Sequence, residues 1–129
     1  MLTINGHLDG LNEYTRSTRS TLYAGASMKK RNEKKVMNAI NEALDDAEIC
    51  AVTDKESYPL KVIIAWYDDT RRDFDNIVFA KKFIFDALVS AGILKDDGRK
   101  YIAAVEECVI TEKESPRIEI TFEKYNERK

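Results

Sequence analysis

The sequence predicts an α+β domain: a two-layer sandwich in which a mixed sheet carries two helices on one face, in the order β-α-β-α-β-β. Segments of period-two alternation stand at the start, middle and end of the chain, stretches with helical apolar spacing lie between them, and the order closes on two consecutive strands. Size agrees. At 129 residues, 43% apolar and 34% charged, with five Gly and two Pro, residues 1–129 are long enough to build one core without disulfide staples.

Leu2 to Leu8 alternates, with Leu2, Ile4 and Leu8 on one side and Thr3, Asn5 and His7 on the other, as in a half-buried strand. His7 falls on the polar side and is assigned no role. Gly6, Gly10, Asn12 and a run of Ser and Thr predict a long polar loop over Asp9 to Ala26. A helix is predicted from Ser27 to about Glu48, with Val36, Ile40, Leu44 and Ala47 as its apolar stripe. Lys29, Lys30, Arg31, Lys34 and Lys35 would then crowd its start, and Glu42, Asp45, Asp46 and Glu48 its end, opposite to what the helix dipole favours. A start so rich in cations would attract phosphate.

Leu60 to Tyr67 reads as a central strand with both faces apolar: Val62, Ile64 and Trp66 on one, Ile63, Ala65 and Tyr67 on the other. Helices would cover one face and a second subunit the other. An apolar helix follows over Asn76 to Ala91, with Asp75 suited to its N-cap and Gly92 placed to end it. Tyr101 to Ile110 and Arg117 to Phe122 are the closing strands, with Ile118, Ile120 and Phe122 facing in.

Several function classes drop out. No run approaches the roughly 18–20 consecutive apolar residues of a membrane span, and no basic region followed by an apolar run opens the chain. Cys50 and Cys108 are too sparse for a disulfide framework or a zinc site and are expected to be buried thiols in a reducing cytoplasm. The net charge of −2 argues against a protein that coats nucleic acid by charge alone, yet it hides an asymmetry. Residues 1–35 carry seven Lys and Arg, including Arg16 and Arg19, against three Asp and Glu; they net +4 and leave −6 for the remainder. A local basic patch of this kind can engage a polyanion.

Carboxylates concentrate around the second predicted helix: Asp73 and Asp75 at its entrance, Asp96 and Asp97 after its exit. Two apart in an extended segment, Asp73 and Asp75 would point to the same side, and Asp97 would add a third oxygen donor for Mg²⁺. Such a cation prefers oxygen ligands and is often shared with a substrate phosphate.

The string from Arg71 to Asp97, RRDFDNIVFAKKFIFDALVSAGILKDD, resembles the RusA family of Holliday junction resolvases, the phage and prophage endonucleases that cut four-way DNA junctions. Basic residues lead into Asp-x-Asp-Asn, followed by Phe-Asp-Ala-Leu, Ala-Gly and a closing Asp-Asp. The stretch GLNEYTRSTRSTLYAGASMKK is also similar to the opening of phage members. The resemblance implies a magnesium-dependent homodimer that makes paired nicks across the junction in recombination and repair. Asp73, Asp75 and Asp97 match the catalytic carboxylates. The family's lysine corresponds to Phe79 when counted forward from Asp75 and to Lys82 when counted back from Asp86. Helix geometry favours Lys82, two turns from Asp75, over Lys81.

Mg²⁺ would polarise the phosphoryl oxygens and orient water, and Lys82 would stabilise the developing charge. Arg71 and Arg72 would hold phosphate, while Arg16, Arg19 and the Lys29–Lys35 cluster would carry the DNA arms. A nuclease acting on other branched DNA, and a noncatalytic DNA-binding module on the same scaffold, are the alternatives.

Overall fold

The protein is seen as a computed structural model that describes residues 1–46, 49, 52 and 57–126. Its described elements are β1 (Leu2–Asn5), α1 (Leu11–Ser20), α2 (Leu22–Glu42), β2 (Leu60–Asp68), α3 (Phe74–Val78), α4 (Lys81–Ser90), β3 (Ile102–Thr111) and β4 (Arg117–Lys124). One mixed sheet runs β1-β4-β2-β3, with β4 antiparallel to β1 and β2, and β3 parallel to β2. The α+β class is the one the alternation pattern predicts.

Alternation decides which way the sheet faces. Leu2 and Ile4, Val62, Ile64 and Trp66, and Ile118, Ile120 and Phe122 are buried in a core shared with Val36 and Ile40 of α2 and with Phe83, Ile84, Ala87 and Leu88 of α4. Their neighbours Ile63, Ala65 and Tyr67 lie half-buried on the opposite face. Gly92 adopts φ +76° just beyond the end of α4, the left-handed conformation that a C-terminal glycine supplies without a Cβ penalty.

Several expectations are corrected. Asp9–Ala26 is not a loop but mostly α1 and the start of α2. Gly10 N–H donates to the Glu13 carboxylate (3.1 Å) and Ala24 N–H to Thr21 Oγ1 (2.9 Å), so residues that read as loop formers cap two helices. α2 therefore starts at Leu22, and Lys29–Lys35 occupy its middle turns, where a helix terminus exerts little pull. The expected phosphate-attracting helix start is absent. α2 ends at Glu42, Leu44 lies beyond it and is 51% exposed, and Ala47 and Glu48 fall outside the described residues.

The predicted strand to Leu8 ends at Asn5, although Leu8 is buried as its pattern requires. The predicted 76–91 helix is broken into α3 and α4 around Phe79–Ala80, and the N-cap position belongs to Asp73, not Asp75. Cys108 is exposed, not buried, because β3 is an edge strand and turns it to the face away from the helices; Cys50 lies outside the described residues. Among the described residues no helix is long and apolar enough to cross a membrane.

Candidate active site

The turn after β2 carries the acidic motif, and a buried ionic network sets its course. Asp68, only 4% exposed, ends β2 and accepts from Thr70 N–H (3.0 Å), the Thr70 hydroxyl and Arg72 Nη2 (2.9 Å). Burial pushes the Asp68 carboxyl up, but the Thr70 and Arg72 hydrogen bonds and the Arg72 charge outweigh it and hold the group below its ordinary value. Arg72 also donates through Nε to Thr70 Oγ1 (3.0 Å) and through Nη1 to the Leu8 carbonyl (3.1 Å), and it stands 3.8 Å from Glu13. The expected phosphate ligand Arg72 is thus a mostly buried clamp, its side chain 13% exposed, that joins β2, the β1–α1 connection and α1. Arg71 beside it is exposed.

A second tie runs from α3. Asn76 Oδ1 accepts from Asn12 N–H (2.9 Å), and Gly10 approaches so closely that a Cβ there would lie 2.5 Å from the Asn76 carbonyl oxygen. The Tyr14 ring of α1 packs tilted against Phe79 and edge-on against Phe83, with centroids 5.1 and 6.2 Å away. The start of α3 is therefore held from two sides.

Beside it opens a groove of about 470 Å³ lined by Leu11, Asp75, Val78, Phe79, Lys81, Lys82, Phe85 and Asp97. Asp75 comes from the first turn of α3, Lys82 from α4 and Asp97 from the segment after α4, so three expected catalytic residues share one wall system. The helix break does not separate Asp75 from Lys82. Both lysines reach the groove, but Lys81 is bound to Glu107 of β3 (2.6 Å), whose other oxygen accepts from Trp66 Nε1 (2.9 Å). Lys82 is exposed, and its side chain makes no hydrogen bond or ion pair among the described residues.

Asp73 is exposed at the α3 N-cap without a side-chain capping bond and does not line the groove. The expected extended segment is interrupted, because Asp73 is extended and Asp75 helical. Asp97 also borders a neighbouring groove with Lys29, Glu33, Asp86 and Asp96. No three metal-ligating side chains among the described residues gather as a ready cluster. The donors of the main groove nonetheless suit Mg²⁺, which takes hard oxygens, commonly one or two carboxylates completed by waters and a substrate phosphate.

The basic residues divide by partner. Lys29 lies 3.7 Å from Asp86, Arg31 3.9 Å from Asp9, and Lys35 donates to the His7 carbonyl (3.3 Å). Lys30 and Lys34 are exposed and unpaired among the described residues; Arg16 and Arg19 are exposed on α1. Asp68, Glu13 and Glu107 were not singled out by sequence. The nearest signal for the first was an acidic residue closing an apolar strand just ahead of the paired arginines.

No family model matches the chain, and no curated protein is significantly similar to it in sequence.

Proposed function

We propose that the chain is a Mg²⁺-dependent endodeoxyribonuclease that resolves four-way DNA junctions as a homodimer in the cytoplasm. The observation that carries this reading is the convergence of Asp75, Lys82 and Asp97 on one groove. Asp75 and Asp97 would hold the cation, with Asp73, at the N-cap of α3 and outside the groove lining, as the third candidate carboxylate. Bound there, Mg²⁺ would supply Lewis-acid polarisation of a phosphoryl oxygen and orientation of the attacking water.

The chain's own groups do the rest. Lys82, free of a carboxylate partner, offers its ammonium to the charge that builds on the phosphoryl oxygens. Lys81 supports the groove wall through Glu107. Arg71 is available for a charge-assisted bond to a flanking phosphate, whereas Arg72 positions the acidic turn. Arg16, Arg19, Lys30 and Lys34 are the cations best exposed for the DNA arms; Lys29, Arg31 and Lys35 share theirs with protein oxygens.

Labelled four-way junction, flapped duplex and linear duplex, each incubated with pure protein with and without Mg²⁺, test the reading. Paired nicks in the junction, dependent on Mg²⁺, are expected. Cleavage confined to flaps would mean a nuclease of other branched DNA. Binding without cleavage in Mg²⁺ would mean a DNA-binding module.

A further inference from the structure

The solvent face of α2 carries a feature that the cutting chemistry does not use. Tyr23, Ala26, Ser27, Lys30 and Lys34 recur at spacings of three and four residues and so lie along one side of the helix. With Arg31 they line a groove of about 300 Å³. Met28, Asn32, Val36 and Ala39 hold the opposite side in or against the core.

Tyr23 heads this row and is 82% exposed, because α1 and α2 meet at a single residue, Thr21, and the elbow leaves the first turn of α2 clear. A lone exposed ring carries no message. This ring, however, stands about two to three turns from three cations, two of which have no anionic partner among the described residues. An aromatic platform beside a row of positive charge is the arrangement that holds single-stranded nucleic acid: rings take the base faces and cations the phosphates.

We propose that this groove binds the unpaired nucleotides of a DNA branch, with Tyr23 stacked on a base and Lys30, Lys34 and Arg31 on the adjoining phosphates. That the strand is DNA rests on the reading above; the chemistry of the groove does not. A lipid surface fits less well, since insertion needs an apolar stripe along the helix, and below Tyr23 this face continues as small and cationic residues.

The test measures binding of the full chain to a short oligothymidylate carrying one 2-aminopurine, whose fluorescence is quenched on stacking. Binding with quenching is expected. Tyr23→Ala should weaken affinity by about five-fold or more and abolish the quench, and Tyr23→Phe should restore both, because stacking needs the ring and not the hydroxyl. Lys30→Gln with Lys34→Gln should flatten the dependence of affinity on salt by about 0.7 per lost phosphate contact and keep the quench at saturation. Failure to bind the oligonucleotide, an unchanged Tyr23→Ala variant, or Tyr23-dependent binding to anionic vesicles instead of the oligonucleotide would each overturn the proposal. Junction cleavage run in parallel separates the two ideas: cutting with no role for Tyr23 sinks only this one, and Tyr23-dependent stacking without cutting leaves it standing.

Discussion

Asp68 keeps its charge almost wholly out of water, which is tolerable because Arg72 and Thr70 satisfy both its oxygens. Its carboxyl is held below its usual value, so the folded state binds this proton less readily than the unfolded chain does. The stabilisation is therefore present in full above roughly pH 4 and is lost as pH falls through the lowered folded value. Denaturant unfolding followed against pH should show this acid limb in the unmodified protein and a flatter one in Asp68→Asn. Asp68→Ala strands Arg72 and should cost about 3 kcal/mol at neutral pH; an unchanged midpoint would mean the network contributes little. At Asp75 the outcome differs. Exposed on the first turn of α3, Asp75→Asn forgoes only a helix-dipole contact of about 0.3–1 kcal/mol. Junction cleavage in Mg²⁺ should nevertheless fall by orders of magnitude while junction binding persists, and Asp97→Asn should behave alike. Asp45→Asn, beyond the end of α2 and not among the groove-lining residues, is the control and should cut normally. Near-normal cleavage by folded Asp75→Asn would remove the groove from the mechanism.

Elements, rather than single groups, place that groove, and the α1–α3 contact is its tightest joint. A Cβ on Gly10 would meet the Asn76 carbonyl and side-chain oxygens at 2.5 Å and Arg72 at 3.0 Å. Gly10→Ala should thus cost about 1–3 kcal/mol as overpacking and lower cleavage by shifting α3, whereas Gly25→Ala meets chiefly the movable Thr18 side chain and should be milder. Thermal unfolding and cleavage of the two variants check the ranking. The same joint explains what sequence could reveal. β2 and β4 were legible because one buried face imposes a strict period of two. α1 was not, since it buries no residue fully and announces itself only through its caps and the packing of Tyr14 against Phe79. β3 hides its facing because the register with β2 slips by one at Ala103, so that Glu107 turns inward to Lys81 and Cys108 outward. Asp75, Lys82 and Asp97 could be chosen from a motif. Glu107 and Asp68 could not, because their partners lie on other elements.

At the scale of the whole molecule, one face of the sheet has no helix among the described residues to cover it. Ile63, Ala65 and Tyr67 of β2 stand beside Glu106, Cys108 and Ile110 of β3, and the Arg117 guanidinium lies 3.9 Å from the Tyr67 ring centroid. Charged pairs flank this strip: Lys61 with Glu106 at 3.3 Å and Arg117 with Glu119 at 3.5 Å. A half-buried apolar strip with paired charges set among it has the mixed composition of a non-obligate protein interface. A two-fold axis through it would be closed and self-complementary, and would set two grooves symmetrically for paired cuts. Sedimentation at micromolar concentration should therefore show a dimer. Ile63→Glu together with Ile110→Glu would put like charges at the centre of the seam and should yield a folded monomer that nicks a junction on one strand without coordinating the second cut. Alkylation of Cys108, located by peptide mass, should be slow in the dimer and fast in that monomer, because the thiol is exposed in the single chain. A monomer that makes paired cuts, or a dimer in which both glutamates are tolerated and Cys108 stays reactive, would show that the sheet face is not the seam.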